Sequence, residues 1–158
     1  MSPKTHTLVA LVENKAGVLN RIASLFRRRR FNIESLTVGH SEKEGLSRMT
    51  IVVDKETNVD QVFRQMYKIV EVIKIKKLDE EKAIVRDLAL VKVKLTPPTR
   101  AKILKTINLF GAKIVKKNSK YLIAEICEQP EKIERFIDLM KDFGIIEIAR
   151  TGVTAVSS

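Results

Sequence analysis

Apolar and polar positions in the first half of the chain follow a pattern whose period changes several times. Residues 7–12 form an apolar and β-branched run, typical of a strand, which stops at the polar, glycine-containing loop 13–17. Apolar side chains then recur at the spacing of one helical face, at Val18, Leu19, Ile22, Leu25 and Phe26. The pattern therefore predicts a strand, a loop and a helix that ends at the arginine run 27–30.

Two further strands and a second helix complete the first half. Residues 32–38 and 47–53 flank the charged, glycine-containing segment 41–45, so they are expected to form an antiparallel hairpin. A second amphipathic helix follows the polar segment 57–60, where a side chain can cap its free N–H groups. Its apolar positions are Val59, Val62, Phe63, Met66, Ile69 and Val70. Residues 72–78 close the unit as a fourth strand.

The second half repeats this order after a charged junction at 79–82. Residues 88–95 alternate as a strand, and Thr96-Pro97-Pro98 is expected to open a helix with proline in its first turn. Gly111 is placed to end that helix. The remaining elements are a hairpin at 112–115 and 121–127, a helix over Ile133, Phe136, Ile137 and Met140 that Gly144 ends, and a strand at 145–149.

The fold class predicted by this repeat is α+β, with two consecutive ferredoxin-like βαββαβ units. We place the domains at residues 1–79 and 83–158. Residues 7–12 are apolar on both alternating sets of side chains, so the second face of that sheet is expected to be covered. A dimer or sheet-to-sheet packing would do this.

Composition narrows the class of protein. The 158 residues contain no apolar run long enough for a membrane span, and the first five lack a secretory signal pattern, so a cytoplasmic location is expected. The single cysteine, Cys127, is expected to be buried and structural. The net charge of +11 favours a nucleic acid or an acidic protein as partner, although it is spread evenly over both halves.

Groups for catalysis are sparse. The two histidines, His6 and His40, are expected to be isolated on the surface, and no metal-binding, phosphate-binding or nucleophile motif is present. The arginines 27–30 could neutralise phosphates or contact a protein, or could simply complement the end of the first helix. The third strand, 46–53, lacks the aromatic residues with which a ferredoxin-like RNA-binding motif stacks bases.

The loop 14–17 is a stronger candidate for a site. It lies between the first strand and the first helix, so a carboxylate could be received by the free N–H groups of the helix N-terminus. Gly17 would let a ligand approach the backbone closely. An ordinary strand-to-helix turn remains the alternative.

Three segments match a known family. Leu-Val-Glu-Asn-Lys-Ala-Gly-Val-Leu at 11–19, Phe-Asn-Ile-Glu-Ser-Leu-Thr-Val at 31–38 and Leu-Ser-Arg-Met-Thr-Ile at 46–51 resemble the ACT domain of the acetohydroxyacid (acetolactate) synthase small subunits, in their compact bacterial form. A weaker likeness continues through 90–93 and 147–153. The resemblance makes the first unit an ACT domain.

The resemblance implies a regulatory subunit and not an enzyme. Such a chain would bind and activate a separate catalytic subunit in branched-chain amino-acid synthesis, and would confer feedback inhibition by valine, its allosteric ligand. Thiamine diphosphate, Mg²⁺ and FAD are expected only in the catalytic partner, and this chain is expected to hold no cofactor or metal. A homodimer through the ACT domains is also implied, with no nucleic-acid or membrane partner.

The resemblance also implies the residues of the valine site. One wall would consist of Asn14, Ala16, Gly17, Val18 and Leu19, and the facing chain would supply Asn32 and Ile33. Backbone N–H groups after Gly17 would bind the valine carboxylate, and the Asn32 side-chain amide could bind either the carboxylate or the ammonium. The side chains of Ile33, Val18 and Leu19 would line the slot for the valine methyls. Two other classes stay open: an RNA-binding ferredoxin-like protein and a standalone enzyme.

Overall fold

The computed structural model describes residues 5–158, which form two compact units. Unit 1 comprises the described residues up to Ile84 together with Val153–Ser158, and unit 2 comprises Val85–Gly152. Up to the end of unit 1's sheet the elements are β1 (Thr5–Glu13), α1 (Val18–Arg28), β2 (Ile33–His40), β3 (Leu46–Asp54), α2 (Val59–Met66) and β4 (Val72–Lys77). After a 3-10 turn at Glu80–Lys82 follow β5 (Ala83–Lys94), α3 (Arg100–Phe110), β6 (Lys113–Lys117), β7 (Tyr121–Glu128), α4 (Pro130–Lys141), β8 (Ile145–Arg150) and β9 (Thr154–Ser157).

Unit 1 is a four-stranded antiparallel sheet with two helices against one face. The strand order is β2-β3-β1-β4, so β2 and β4 are its edges. Inward side chains of β1 and β3 pack on the apolar faces of α1 and α2 around Ile22, Phe26, Val62 and Met66, all of which are fully buried. Asn58 caps α2 as expected, because its side chain accepts the Gln61 N–H at 3.1 Å.

The opposite face of this sheet, called the outer face below, is covered by the end of the chain. Val153 and Ala155 are buried in unit 1, as are the outer-face residues Val9 and Val52. Hydrogen bonds to the sheet hold residues 153–157: Val153 N to Ser35 Oγ at 2.9 Å, Arg48 Nη2 to the Ala155 carbonyl at 2.8 Å, and Lys76 Nζ to Ser157 Oγ at 3.2 Å. In addition, β9 pairs with β5, and Ser158 N donates to the Lys82 carbonyl at 2.8 Å. The covered second face was expected, but its cover is part of unit 1 itself.

Unit 2 repeats the architecture with strand order β6-β7-β5-β8. Its core packs α3 and α4 on the inward side chains of β5 and β7, including Ile103, Leu122, Ile133 and Phe136. Gly111 ends α3 in the left-handed conformation, as the sequence predicted. The α+β class with two consecutive ferredoxin-like units is therefore confirmed.

Several boundaries differ from the sequence-based expectations. Helix α2 ends at Met66, and α3 begins at Arg100, so Pro97 and Pro98 lie in the turn before the helix and not in its first turn. The predicted domain boundary at 79–83 lies beside the observed division, but Val153–Ser158 groups with unit 1 and not with unit 2. The last strand was missed because its short apolar pattern, Thr-Ala-Val-Ser, carries little signal.

Two further observations concern composition. Cys127 is exposed, so the expectation of a buried structural cysteine was wrong: its side chain alternates with the inward-facing Ile126 and points away from the unit 2 core. Among residues 5–158, the helices are too short or too polar to cross a bilayer.

Candidate functional site

The loop between β1 and α1 is held by backbone hydrogen bonds to two other parts of unit 1. Glu13 N donates to the Glu71 carbonyl and Asn14 N to the Gly45 carbonyl, each at 2.8 Å. The loop is therefore tied both to the start of β4 and to the β2-β3 turn. These two anchors fix its conformation without using the side chains of Asn14 or Ala16.

Gly17 gives the loop its geometry. It precedes α1 with φ 85° and ψ −10°, a left-handed conformation that costs a residue with a side chain about 1–2 kcal/mol. No side chain caps the helix, and within residues 5–158 the N–H groups of Leu19 and Asn20 have no acceptor. The helix start thus presents free donors and the positive end of the helix dipole, which together can bind a carboxylate.

Arg21 adds positive charge beside this helix start. Its Nη1 atom lies 3.5 Å from the position that a Cβ on Gly17 would occupy, and another guanidinium nitrogen pairs with Glu71. The first turn of α1 contains no acidic residue. Sequence reasoning did not single out Arg21, although its position four residues after Gly17 places it one helical turn from the loop.

The predicted site residues on this loop lie close together, but the side chain of one of them, Val18, faces the core. Asn14, Ala16 and Gly17 are exposed, and Leu19 is 48% exposed. Val18, by contrast, is buried in the unit 1 core and packs with α2 and the sheet. The idea that the Val18 side chain lines a ligand slot was therefore wrong, since the helical face on which it lies points inward.

Asn32 and Ile33 lie far from the loop within one chain. Glu13, at the loop, pairs with Leu46 at the start of β3, whereas Ile33 pairs with Val53 near the end of that strand. Seven residues of extended strand separate these positions by about 24 Å. Asn32 is exposed, and its side-chain nitrogen donates to Glu34 Oε1 at 2.8 Å. One chain alone does not bring the two parts of the predicted site together.

His40, at the end of β2, lies next to the loop. Its Nδ1 atom lies 3.5 Å from the side-chain nitrogen of Asn14, and both residues are exposed. His40 is thus adjacent to the loop and is not isolated as expected. His6, at the far end of the sheet, contacts the Lys55 carbonyl at 3.1 Å.

A small cavity lies on the outer face of unit 1, between β2, β3 and the C-terminal segment. Its volume is about 140 Å³, and it is lined by Thr37, Val38, Gly39, His40, Arg48, Thr50 and Thr154. Thr37 Oγ1 and Arg48 Nε are buried and have no hydrogen-bond partner in the part of the chain that the structure describes. The space and these two groups suit ordered water, which satisfies such groups in folded proteins.

Two features could serve nucleic-acid binding: the arginine run 27–30 and the outer face of unit 1. Both make contacts within unit 1. Arg27 and Arg28 occupy the last turn of α1, where cations complement the helix dipole, and Arg29 donates to Gln65 Oε1 at 3.1 Å. The outer face, which a ferredoxin-like RNA-binding protein would use for stacking, is covered by Val153 and Ala155. RNA recognition by unit 1 is therefore disfavoured.

The fold and the loop define a class of protein: a βαββαβ unit with a glycine loop before its first helix has the form of an ACT domain. Sequence comparison agrees with this class, since the model of the AHAS small subunit-like ACT domain matches residues 8–74. A second model, described as the small subunit of acetolactate synthase, matches residues 86–158. Between them the two models cover most of both units.

Individual relatives extend the likeness over the whole length. The probable acetolactate synthase small subunit of Archaeoglobus fulgidus is 47% identical over 152 residues, covering 96% of this chain and 95% of the relative. The acetolactate synthase small subunit of Mycolicibacterium smegmatis is 46% identical over 154 residues, covering 97% and 91%. The crystal structure of the small subunit from Thermotoga maritima superposes with a TM-score of 0.92 at 39% identity, covering 98% of each chain.

The chain belongs to the family of acetolactate synthase small subunits. This confirms the resemblance seen in the sequence, and it makes the chain a regulatory subunit rather than an enzyme in its own right.

Proposed function

We propose that this chain activates a catalytic acetolactate synthase subunit and makes it sensitive to feedback inhibition by valine. Valine binds at the Gly17 loop, between two copies of the chain. The observation that supports the proposal is the distance between the loop and Asn32, which lie at opposite ends of the sheet. A valine site that contains both the loop and Asn32 therefore needs two copies of the chain. Thiamine diphosphate, Mg²⁺ and FAD belong to the catalytic partner.

The edge strand β2 supplies the geometry for this dimer. It is paired on one side only, by β3, so its other side can pair with the same strand of a second copy. In an antiparallel pair of β2 strands centred on Leu36, Asn32 of one chain falls opposite His40 of the other. Since His40 contacts Asn14, this arrangement brings Asn32 of the partner subunit to the loop.

The groups at the loop match those of an amino acid. The N–H groups of Leu19 and Asn20 face no acceptor among the described residues and can bind the carboxylate, and the Arg21 guanidinium, which also pairs with Glu71, lies nearby. The side-chain oxygen of Asn32 remains free for the ammonium, since its nitrogen donates to Glu34. The exposed Leu19 provides apolar surface for the valine methyls, together with the part of Ile33 that is not packed against the core of its own unit 1.

Feedback follows from linkage. Valine stabilises whichever arrangement of the two copies it binds better, and the catalytic subunit responds only if it also distinguishes those arrangements. The loop is tied to Glu71 and Gly45 by backbone hydrogen bonds, so a shift on ligand binding is transmitted to both β4 and the β2-β3 turn. A cytoplasmic location is part of this proposal.

The test is calorimetric titration of valine into the full chain and into two variants. Asn32→Ala removes the proposed ammonium acceptor and is expected to weaken binding about 10- to 100-fold, the usual range for a hydrogen bond to a charged group. Asn108→Ala, at an exposed position on α3, is the matched control and should bind as the wild type does. Equal affinity in all three proteins would refute the assignment of Asn32.

Activation is measured separately, by adding the chain to its catalytic subunit and following acetolactate formation with and without valine. We expect higher activity on addition and inhibition by valine. If the chain neither binds valine nor changes that activity, the proposed function is wrong. Turnover of pyruvate by this chain alone would point to the enzyme alternative.

Specificity should be partial. One methylene in an apolar slot discriminates by about 1–3 kcal/mol, so leucine and isoleucine are expected to bind about 10- to 200-fold more weakly than valine. Titration of the three amino acids under one set of conditions measures this ratio. Leucine binding more than about a thousandfold weaker would show that the site excludes it by more than the slot proposed here.

A further inference from the structure

Positive charge in unit 2 is concentrated in one stretch of sequence. Residues 88–124 contain nine lysines and arginines and no aspartate or glutamate. The acidic residues of unit 2 lie outside this stretch, mostly on or beside α4, where Glu128, Glu134 and Asp138 pair with nearby cations. The even division of charge between the two halves of the chain therefore hides a strong polarity within the second.

The fold gathers five of these cations at one end of the unit 2 sheet. Lys92 on β5 and Lys116 on β6 both pair with Ile123 of β7, from opposite sides, so their side chains share a face about 10 Å apart. Lys94, also on β5, pairs with Tyr121 of β7. We name the lysine patch as Lys92, Lys94, Lys116, Lys117 and Lys120.

The β6-β7 hairpin brings the last two lysines to this end. Lys117 pairs with Leu122, and the Lys120 carbonyl accepts the Leu95 N–H at 3.0 Å, directly after Lys94. Every residue of β6 is exposed, as is Lys120. Lys92, Lys94 and Lys116 therefore lie on one face of the sheet, and Lys120 lies in the adjoining turn. Lys117 is in register with the core-facing Leu122, so it extends the patch around the exposed edge strand β6.

Glu147 of β8 is the cross-strand neighbour of Lys92, but none of the five lysines forms an ion pair with a described residue. Among residues 5–158, no carboxylate lies within 4.0 Å of any of the nine cations between 88 and 124. Lys92 Nζ instead lies 4.3 Å from the centre of the Tyr121 ring. Clustered cations repel one another, so the patch lowers its electrostatic energy when an acidic surface covers it.

Two simpler roles would account for only part of the patch. Lysines on an edge strand discourage unwanted strand pairing, which fits Lys116 and Lys117 on β6 but not Lys92 and Lys94 on the inner strand β5. Nucleic acid would use the positive charge together with stacking aromatics. Tyr121 is the one aromatic residue on this part of the sheet, and Lys92 already occupies its ring.

We propose that the lysine patch docks on an acidic surface of the catalytic subunit and steers the association of the two proteins. This inference rests on the proposed function, because it takes the catalytic subunit as the partner. Charges at such a contact act mainly on the rate of association and on its dependence on salt. Ile123, between Lys92 and Lys116, supplies apolar area at the centre of the contact.

The experiment titrates the full chain into its catalytic subunit at low and high KCl and records the concentration that gives half-maximal activation. The test variant is Lys116→Gln with Lys117→Gln and Lys120→Gln. The control is Lys43→Gln with Lys55→Gln and Lys68→Gln, three exposed lysines of unit 1 that lower the net charge equally. We expect about a tenfold rise in that concentration for the test variant at low salt, a weaker salt dependence, and no change for the control.

Each other outcome overturns a different statement. If the wild type activates and the test variant is indistinguishable from it, the patch is not the docking surface and the proposed function stands. If the wild type neither associates nor activates, both fail together. Retention of a 20-nucleotide RNA by the wild type but not by the test variant, with activation unchanged in both, would assign the patch to nucleic acid.

Discussion

The two units have the same fold but differ at the junction between their first strand and first helix. In unit 1 this junction is the Gly17 loop, whose backbone leaves donors free at the start of α1. In unit 2 the corresponding segment contains Pro97 and Pro98, which have no N–H to offer. Thr96 and Thr99 bond to each other there, Oγ1 to Oγ1 at 2.7 Å, and Arg100 N donates to the Thr96 carbonyl.

The difference shows that a ligand site in this architecture depends on a few loop residues and not on the sheet and helices behind them. Only unit 1 has an open helix start with a left-handed glycine before it. We therefore expect one valine site per chain, in unit 1, and a calorimetric stoichiometry that agrees. If the two units differ in this way, substitutions should perturb each of them separately.

The largest effect is expected from the C-terminal segment. Val153→Ser places a hydroxyl in a buried apolar contact on the outer face of unit 1, and should lower the free energy of unfolding by about 2–3 kcal/mol. Val156→Ser is the matched control, since Val156 is 52% exposed in the same segment. Hydrogen exchange resolved by peptide should show the loss in the unit 1 sheet and in β5, which pairs with β9. Loss confined to the rest of unit 2 would contradict the grouping of this segment with unit 1.

Unit 2 contains a buried, hydrogen-bonded carboxylate at Asp87. This buried carboxylate accepts from Arg150 Nε at 2.7 Å and from Thr151 Oγ1 at 3.3 Å. Asp87→Ala should cost about 2 kcal/mol, less than for a fully buried pair because Arg150 is partly exposed and keeps Glu134. Asp138→Ala, in an exposed pair with Lys141, should cost under about 0.5 kcal/mol. Chemical denaturation measures both, and valine affinity should not change in either.

Substitution of two glycines with similar backbone conformations distinguishes the effect of backbone strain from an effect on valine binding. Gly17→Ala and Gly111→Ala each force a side chain into the left-handed region, with φ 85° and 68°, and each should lower stability by about 1–2 kcal/mol. Only the first should also weaken valine binding, by about tenfold or more, because relief of the strain shifts the start of α1. Equal affinities in the two variants would mean that the Gly17 loop is not the binding site.

The smallest effect concerns helix capping. Asn58→Ala removes a side chain that accepts the Gln61 N–H and should destabilise unit 1 by about 1 kcal/mol. Thr99→Ala, at the corresponding position before α3, should cost less, because the Thr99 side chain makes no capping bond. Thermal denaturation of the two variants compares the caps directly, and a larger loss for Thr99→Ala would contradict this difference.

Much of the fold could be predicted from the chain because local pattern and final packing agree. Ile22 and Phe26 repeat at helical spacing and are buried, and Gly111 ends a helix where expected. Val18 shows where this reasoning fails: its neighbours in sequence belong to an exposed loop, but helix α1 turns its side chain into the core. Exposure at a helix start depends on the direction of the helix, which the sequence pattern does not specify.

The long-range features could not be predicted from local patterns. The covering of Val52 by Val153 and Ala155 joins residues about a hundred positions apart, and nothing in the short apolar pattern of β9 indicates which sheet it meets. The lysine patch likewise depends on strand order, because Lys92 and Lys116 become neighbours only across β7. The separation of Asn32 from the loop also required the register of β3.

The placement of Val153–Ser158 in unit 1 affects how the protein is made on the ribosome. Unit 2 is encoded as an uninterrupted stretch, whereas unit 1 is split around it, and residues 153–158 of unit 1 are encoded after unit 2. Chains emerge from the N-terminus, and domains usually fold in that order. Unit 2 can therefore complete its folding before residues 153–158, which belong to unit 1, have been synthesised. The unit that starts first is therefore completed last, and a truncation that removes residues 153–158 would damage unit 1 while leaving every residue of unit 2 in place.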